Sequence, residues 1–171
     1  MRLFVAVWPP EDVVSELMSL PRKDQRGVRF MPPENWHLTL RFLGESDPGV
    51  VSAALDGVRL PPATVRLGPG VDVLADRALV LPAAGLDELA AAVTAGTASI
   101  GQPPRKRFVG HLTLARLKAH AQMPKALGAY APSTFEVEEV ALVRSRLTPE
   151  GARYDTLETW PVGRGTTDPG R

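Results

Sequence analysis

The tetrapeptide His-Leu-Thr-Leu stands twice in this chain, at His37–Leu40 and at His111–Leu114, 74 positions apart (37 to 111) in a chain of 171 residues. Each copy lies in an apolar, strand-like run, and an arginine follows each, Arg41 and Arg116. Two of the chain's three histidines head these copies. Residues i and i+2 of a strand share a face. Each copy therefore projects an imidazole and a hydroxyl side by side and sends its leucines the other way, into a core. The spacing is nearly half the chain, and each half holds a helix pattern followed by a motif strand. Together these imply an internally duplicated α+β unit: two lobes that share a continuous core, with the site in the cleft between them.

The remaining elements fit that frame. Arg2–Trp8 reads as strand 1. Pro9-Pro10-Glu11-Asp12 starts a helix with apolar positions Val13, Val14, Leu17 and Leu20, which Pro21 and Gly27 end. A short strand is expected over Arg29–Met31, a turn over Pro32–Asn35 and the first motif strand over Trp36–Leu43. Ser46-Asp47-Pro48 opens a helix with the stripe Val51, Ala54, Leu55 and Val58. Strands Thr64–Leu67, Val71–Leu74 and Ala78–Leu81 follow, then a helix through Leu86, Leu89, Ala90 and Val93 reaching Ile100. The second motif strand is expected over Arg107–Leu117, and a loop or short helix over Lys118–Tyr130. Final strands are expected over Phe135–Leu147 and Tyr154–Val162, with a turn over Thr148–Gly151. One domain over 1–162 and a disordered Gly/Thr/Pro-rich tail over 163–171 complete the organisation.

Composition narrows the function classes. The chain is 44% hydrophobic and 23% charged, as in an ordinary globular protein. No apolar run approaches the roughly 20 residues of a bilayer span, so no membrane role is expected. Leu3–Trp8 is too short for a signal sequence. The absence of cysteine rules out disulfides, thiol catalysis and cysteine-ligated metals, and suits a cytoplasmic protein. A net charge of +1 gives no global pull on nucleic acid, so an anionic ligand must be held by local charge.

Two imidazoles and two hydroxyls in one cleft suit phosphoester chemistry. A histidine titrates near pH 6.5, so one can accept a proton while the other donates one. The hydroxyls of Thr39 and Thr113 can donate to non-bridging phosphate oxygens. A lone His-x-Thr in an apolar strand is more often structural. Two identical copies are harder to explain by packing, because Val or Ile would fill those positions at less risk. A relic of duplication and a two-histidine metal site are the competing readings. The second is weakened because neither motif contains an acid and only the first has acids nearby, Glu45 and Asp47.

With these residues in view, the chain resembles the two-histidine (2H) phosphoesterase superfamily, specifically the RNA 2′,3′-cyclic phosphodiesterases, also called 2′-5′ RNA ligases or LigT-like proteins. The resemblance runs through Leu3–Val7, Trp36–Glu45, Val109–Arg116 and Leu142–Tyr154 with Leu157. It implies an α+β fold of two pseudo-symmetric lobes of antiparallel-rich sheet with flanking helices around a basic cleft. It implies hydrolysis of RNA or small-nucleotide 2′,3′-cyclic phosphates to 2′-phosphomonoesters without metal; no cofactor and no obligate protein partner are expected. In that scheme His37 is the proton donor and His111 the proton acceptor, roles that motif symmetry alone does not assign. The alternatives are the reverse reaction, joining ends through a 2′-5′ bond, and a non-catalytic RNA-end-binding module. The family often has proline before the second histidine; Gly110 here is expected to loosen that strand entry slightly.

Other residues are candidates with plainer alternatives. Arg116 looks like a phosphate ligand, yet strict alternation sets it opposite His111, so it needs a bulge to reach the cleft. Arg41 has the parity of His37 and Thr39 and is a candidate substrate contact; the alternative is a solvent-facing arginine. Phe42 has core parity. Tyr154 is a candidate to stack on a base, and Ser145 accompanies it in the last segment. Arg105-Lys106-Arg107 is either an RNA-attracting run or a solvated loop, and His120 reads as a surface residue.

Overall fold

The computed structural model describes residues 1–163. In chain order the elements are β1 (Arg2–Val7), α1 (Glu11–Leu17), β2 (Val28–Phe30), a 3₁₀ turn (Pro33–Asn35), β3 (Leu38–Glu45), α2 (Pro48–Asp56), β4 (Thr64–Leu67), β5 (Asp72–Leu74), β6 (Ala78–Ala84), α3 (Asp87–Gly96), β7 (His111–Leu117), β8 (Ser133–Glu136), β9 (Glu139–Thr148) and β10 (Gly151–Pro161). The class is α+β. The strands run in the order β10-β9-β1-β3-β7-β6-β4-β8, with β2 added to β7 and β5 to β6. Every recorded strand pairing is antiparallel.

The two motif strands meet at the centre of this order. They touch through one registered pair, Leu38 against Leu112, the second residue of each motif. Both leucines are fully buried, so the contact between the halves is made by the apolar face of the repeat. Four strands stand on each side, and each half builds the same unit. β1 and β3 pair with α1 between them in sequence; β6 and β7 pair with α3 between them.

Local chemistry explains the helices. Asp47 caps α2, its carboxylate accepting from the Gly49 and Val50 N–H groups at 2.8 and 3.3 Å, with Pro48 in the first turn. Glu11 and Asp12 lie at the positive end of α1. Each helix buries a narrow stripe: Val13 and Leu17, Val51 and Leu55, and Leu89, Ala90 and Val93. Among the described residues no helix is long and apolar enough to cross a membrane.

Several boundaries differ from the sequence expectation. The apolar run Phe135–Leu147 is two strands, because Val137 and Glu138 carry the chain from one end of the sheet to the other. β8 pairs with β4 in the second half and β9 with β1 in the first. The Val137 N–H donates to Ala63 O and the Val162 N–H to Glu138 O, which pins the crossing. The second motif strand begins at His111 itself, with Arg107–Gly110 in irregular backbone. Gly110 is no loose entry: its carbonyl accepts from the Ala83 N–H at 2.9 Å, and an added Cβ would collide with Ala83 O. The tail expected to be disordered lies beyond the described residues, apart from Gly163.

Candidate active site

A β-bulge sits at the same place in both motifs. In the β1–β3 ladder Ala6 faces Thr39 and Val5 faces Arg41, leaving Leu40 without a partner. In the β6–β7 ladder Val80 faces Thr113 and Leu79 faces Ala115, leaving Leu114 without one. An extra residue in one strand reverses the side-chain parity beyond it. The fourth and fifth residues from each histidine therefore exchange faces relative to simple alternation. Arg41 and Ala115 turn inward, and Phe42 and Arg116 turn to the cleft.

This overturns two expectations. Arg41 is not a cleft residue. It is 3% exposed, on the far side of the strand. Its guanidinium donates to the Thr97 carbonyl, to Thr97 Oγ1 at 2.5 Å, to Ile100 O at 2.7 Å, and more weakly to Thr94 O and Gln102 O. These carbonyls belong to the C-terminal end of α3 and the segment after it, where the helix dipole is negative. A buried cation is thus compensated without a carboxylate. Phe42, expected in the core, is 49% exposed and lines the cleft.

The cleft itself has a volume of about 620 Å³. His37, Thr39, His111 and Thr113 all line it, joined by Arg116, Tyr154 and Ser145. Each imidazole is oriented by main chain. His37 Nδ1 lies 2.7 Å from Asn35 O and His111 Nδ1 2.8 Å from Val109 O, in both cases two residues upstream. A carbonyl only accepts, so Nδ1 carries the proton in both rings and Nε2 is left for chemistry. His37 Nε2 is 3.0 Å from Thr39 Oγ1. Among the described residues His111 Nε2 has no hydrogen-bond partner.

Their surroundings differ. His37 is packed by Phe4, Tyr154 and Trp8, with ring centroids 4.9, 5.1 and 5.7 Å away. Burial lowers its pKa below the ordinary imidazole value; the bond to Asn35 O opposes this, and the charges of His111 and Arg116 add to the lowering.

Several contributors carry no sequence signal. Asn35, 7% exposed, donates from Nδ2 to Ala152 O at 3.0 Å, tying the turn that offers its own carbonyl to His37 onto β10. Val109 acts through its carbonyl, which any residue would supply. Trp8 follows β1, the strand neighbouring β3, and donates from Nε1 to Thr156 Oγ1 at 3.0 Å; unlike Asn35 and Val109, an aromatic next to the motif strand is a signal that could have been followed. Arg2, Arg77 and Lys106 bring charge to the cleft, so of the Arg105–Arg107 run only Lys106 lines it. His120 is exposed and lies outside it. Among the described residues no cluster of three or more His, Asp or Glu side chains is placed to hold a metal ion.

The sequence matches the LigT-like phosphoesterase family over residues 7–68 and 80–154. The chain belongs to the LigT-like phosphoesterase family. Its relatives include the RNA 2′,3′-cyclic phosphodiesterase of Thermus thermophilus, 35% identical with 95% of this chain and 90% of the relative covered. The enzyme of the same name from Methanocaldococcus jannaschii is 25% identical, covering 94% of this chain and all of the relative. Among solved structures, a Thermus thermophilus protein superposes with a TM-score of 0.77 at 33% identity, over 95% of this chain and 98% of that one. E. coli LigT complexed with 3′-AMP gives 0.74 at 26%, over 94% and 97%. The family match spans both motifs, the last residue of β1, all of β9 and the start of β10.

Proposed function

We propose that the protein hydrolyses the 2′,3′-cyclic phosphate at RNA ends to a 2′-phosphomonoester by acid–base catalysis from His37 and His111. The observation that carries this is the matched orientation of the two rings. Each Nδ1 proton is spent on a carbonyl two residues upstream, so both Nε2 atoms serve one cleft beside paired threonines.

In the forward reaction water attacks phosphorus while His111 Nε2 takes its proton. The P–O3′ bond breaks, and His37 Nε2–H protonates the departing 3′-oxygen. Thr39 and Thr113 donate to the non-bridging oxygens, where negative charge grows. Arg116 adds positive charge at the cleft wall, and Tyr154, which lines the same cleft, is the candidate to stack on a base. The cycle leaves His37 neutral and His111 protonated, and exchange with solvent resets both.

A second assignment exchanges the histidines, and the lowered pKa of His37 favours it. A ring whose neutral form is preferred is ready as a base, whereas the donor role asks His37 to take up a proton as the anionic phosphate enters. A substrate with sulfur in place of the bridging 3′-oxygen separates the two. A thiolate leaves without protonation, so the variant lacking the acid regains turnover and the variant lacking the base does not. His37 as donor predicts rescue of His37→Ala alone.

The reading itself is tested with an oligoribonucleotide ending in a 2′,3′-cyclic phosphate, incubated with EDTA present. A 2′-phosphate product is expected. No turnover, or a 3′-phosphate, would sink it.

A further inference from the structure

The cleft continues past the histidines. A second groove of about 340 Å³ adjoins it and shares Met31, Arg116 and Tyr154 with it. Arg29 on β2 and Leu147 and Gly151 at the β9–β10 hairpin are among the residues that line the rest. Arg29 stands directly opposite Arg116 in the β2–β7 ladder. Directly opposed residues of antiparallel strands share a face with Cβ atoms roughly 4.5–5.5 Å apart, and like charges so placed destabilise the pair.

Among the described residues no ion pair offsets that repulsion: neither arginine is in one, whereas the arginines of β9, Arg144 and Arg146, both hold Asp155. Glu150 is the single acidic side chain lining the groove. Leu147, 87% exposed, adds apolar surface on the hairpin side. The groove at the opposite end of the cleft is less suited to an anion. It shares only Phe42 with the cleft, and its one arginine, Arg105, is accompanied by Glu45.

Resting on the cyclic-end reading of the cleft, we propose that Arg29 is a second backbone-phosphate contact, and that the RNA strand upstream of the cyclic end leaves through the groove between β2 and the β9–β10 hairpin. Arg116 is the shared wall and Arg29 holds the next phosphate. The guanidinium pair, in no ion pair among the described residues, is then neutralised by an anionic polymer, which gives affinity and register without reading sequence. Specificity for the reacting end stays with the histidines and threonines; preference for a strand over a mononucleotide comes from Arg29.

The test compares 2′,3′-cyclic AMP with a trinucleotide ending in a cyclic phosphate. In the wild type the trinucleotide has the lower KM. Arg29→Ala is expected to raise the trinucleotide KM about tenfold with kcat little changed, to leave kcat/KM on cyclic AMP within twofold, and to be partly rescued in Arg29→Lys. Arg66→Ala, the same charge change on β4, leaves both substrates unaffected. In fluorescence anisotropy with a labelled trinucleotide bearing the product 2′-phosphate, Arg29→Ala lowers the slope of log affinity against log salt by about one. An unchanged trinucleotide KM and salt slope, or an equal loss on cyclic AMP, overturns the proposal. If the wild type turns over neither substrate, the cyclic-end reading fails. The anisotropy arm still decides whether Arg29 holds an RNA backbone.

Discussion

β3 and β7 carry the same tetrapeptide, the same bulge and the same carbonyl anchor, yet they make two different environments. The differences begin where the repeat stops. At the position after the motif, β3 places Arg41 and β7 places Ala115, both buried. One position further, β3 gives the cleft a phenyl ring and β7 a guanidinium. Around the histidines the contrast is sharper: His37 is enclosed by Phe4, Trp8 and Tyr154, while His111 Nε2 stands open. A duplicated motif thus supplies two equally anchored imidazoles, and neighbouring strands make them unequal. The proposed reaction needs that inequality, since in it one ring gives a proton while the other takes one.

The comparison breaks first at the histidines. His37→Ala and His111→Ala are each expected to reduce turnover at least a hundredfold, about 2.7 kcal/mol of barrier, measured on a cyclic-ended oligoribonucleotide. Loss in only one variant would mean that the symmetric anchoring is decoration on one side. Next in size is Arg41→Ala, which leaves Thr97, Ile100 and Gln102 carbonyls without their donor. A stability loss of about 1–3 kcal/mol is expected in chemical denaturation, with KM nearly unchanged because the side chain does not reach the cleft. A rise in KM with unaltered stability would return Arg41 to the substrate.

Thr39→Val and Thr113→Val should each cost about tenfold in kcat. The comparison sharpens if Thr39→Val also alters the pH profile, since Thr39 alone is bonded to a histidine Nε2. The smallest effect is on titration. His37 should titrate below the ordinary imidazole value in the free protein, followed by NMR, and move upward when inorganic phosphate binds. Folding favours its neutral form. The associated stability is therefore fully present above about pH 6.5, where the unfolded chain is also neutral, and is lost as pH falls through the lowered folded value. His37→Gln should flatten that dependence; an unchanged slope would place the acid sensitivity elsewhere.

Much of the site could be read from the chain because it depends on period and repetition. His and Thr at i and i+2 face one way whatever the fold around them, and the two copies predicted a shared cleft. The leucines' inward direction, the caps of α2 and the helix after β6 follow from equally local rules. Two readings failed at Arg41 and Phe42, and for one reason. Parity carries only as far as the next bulge, and a bulge is a property of the partner strand's register. The single strand expected over Phe135–Leu147 failed similarly, since an apolar run does not say which sheet edge each part will join.

By itself, then, the sequence determined a duplicated α+β unit and the four side chains facing one phosphate-sized site, because alternation and amphipathic period act over a few residues. Only the tertiary structure decided which ring is enclosed, and which arginine serves the helix and which the cleft. Those outcomes depend on desolvation, bulge register and cross-strand neighbours drawn from β1, β2, β6 and β10, which no local pattern in β3 or β7 encodes.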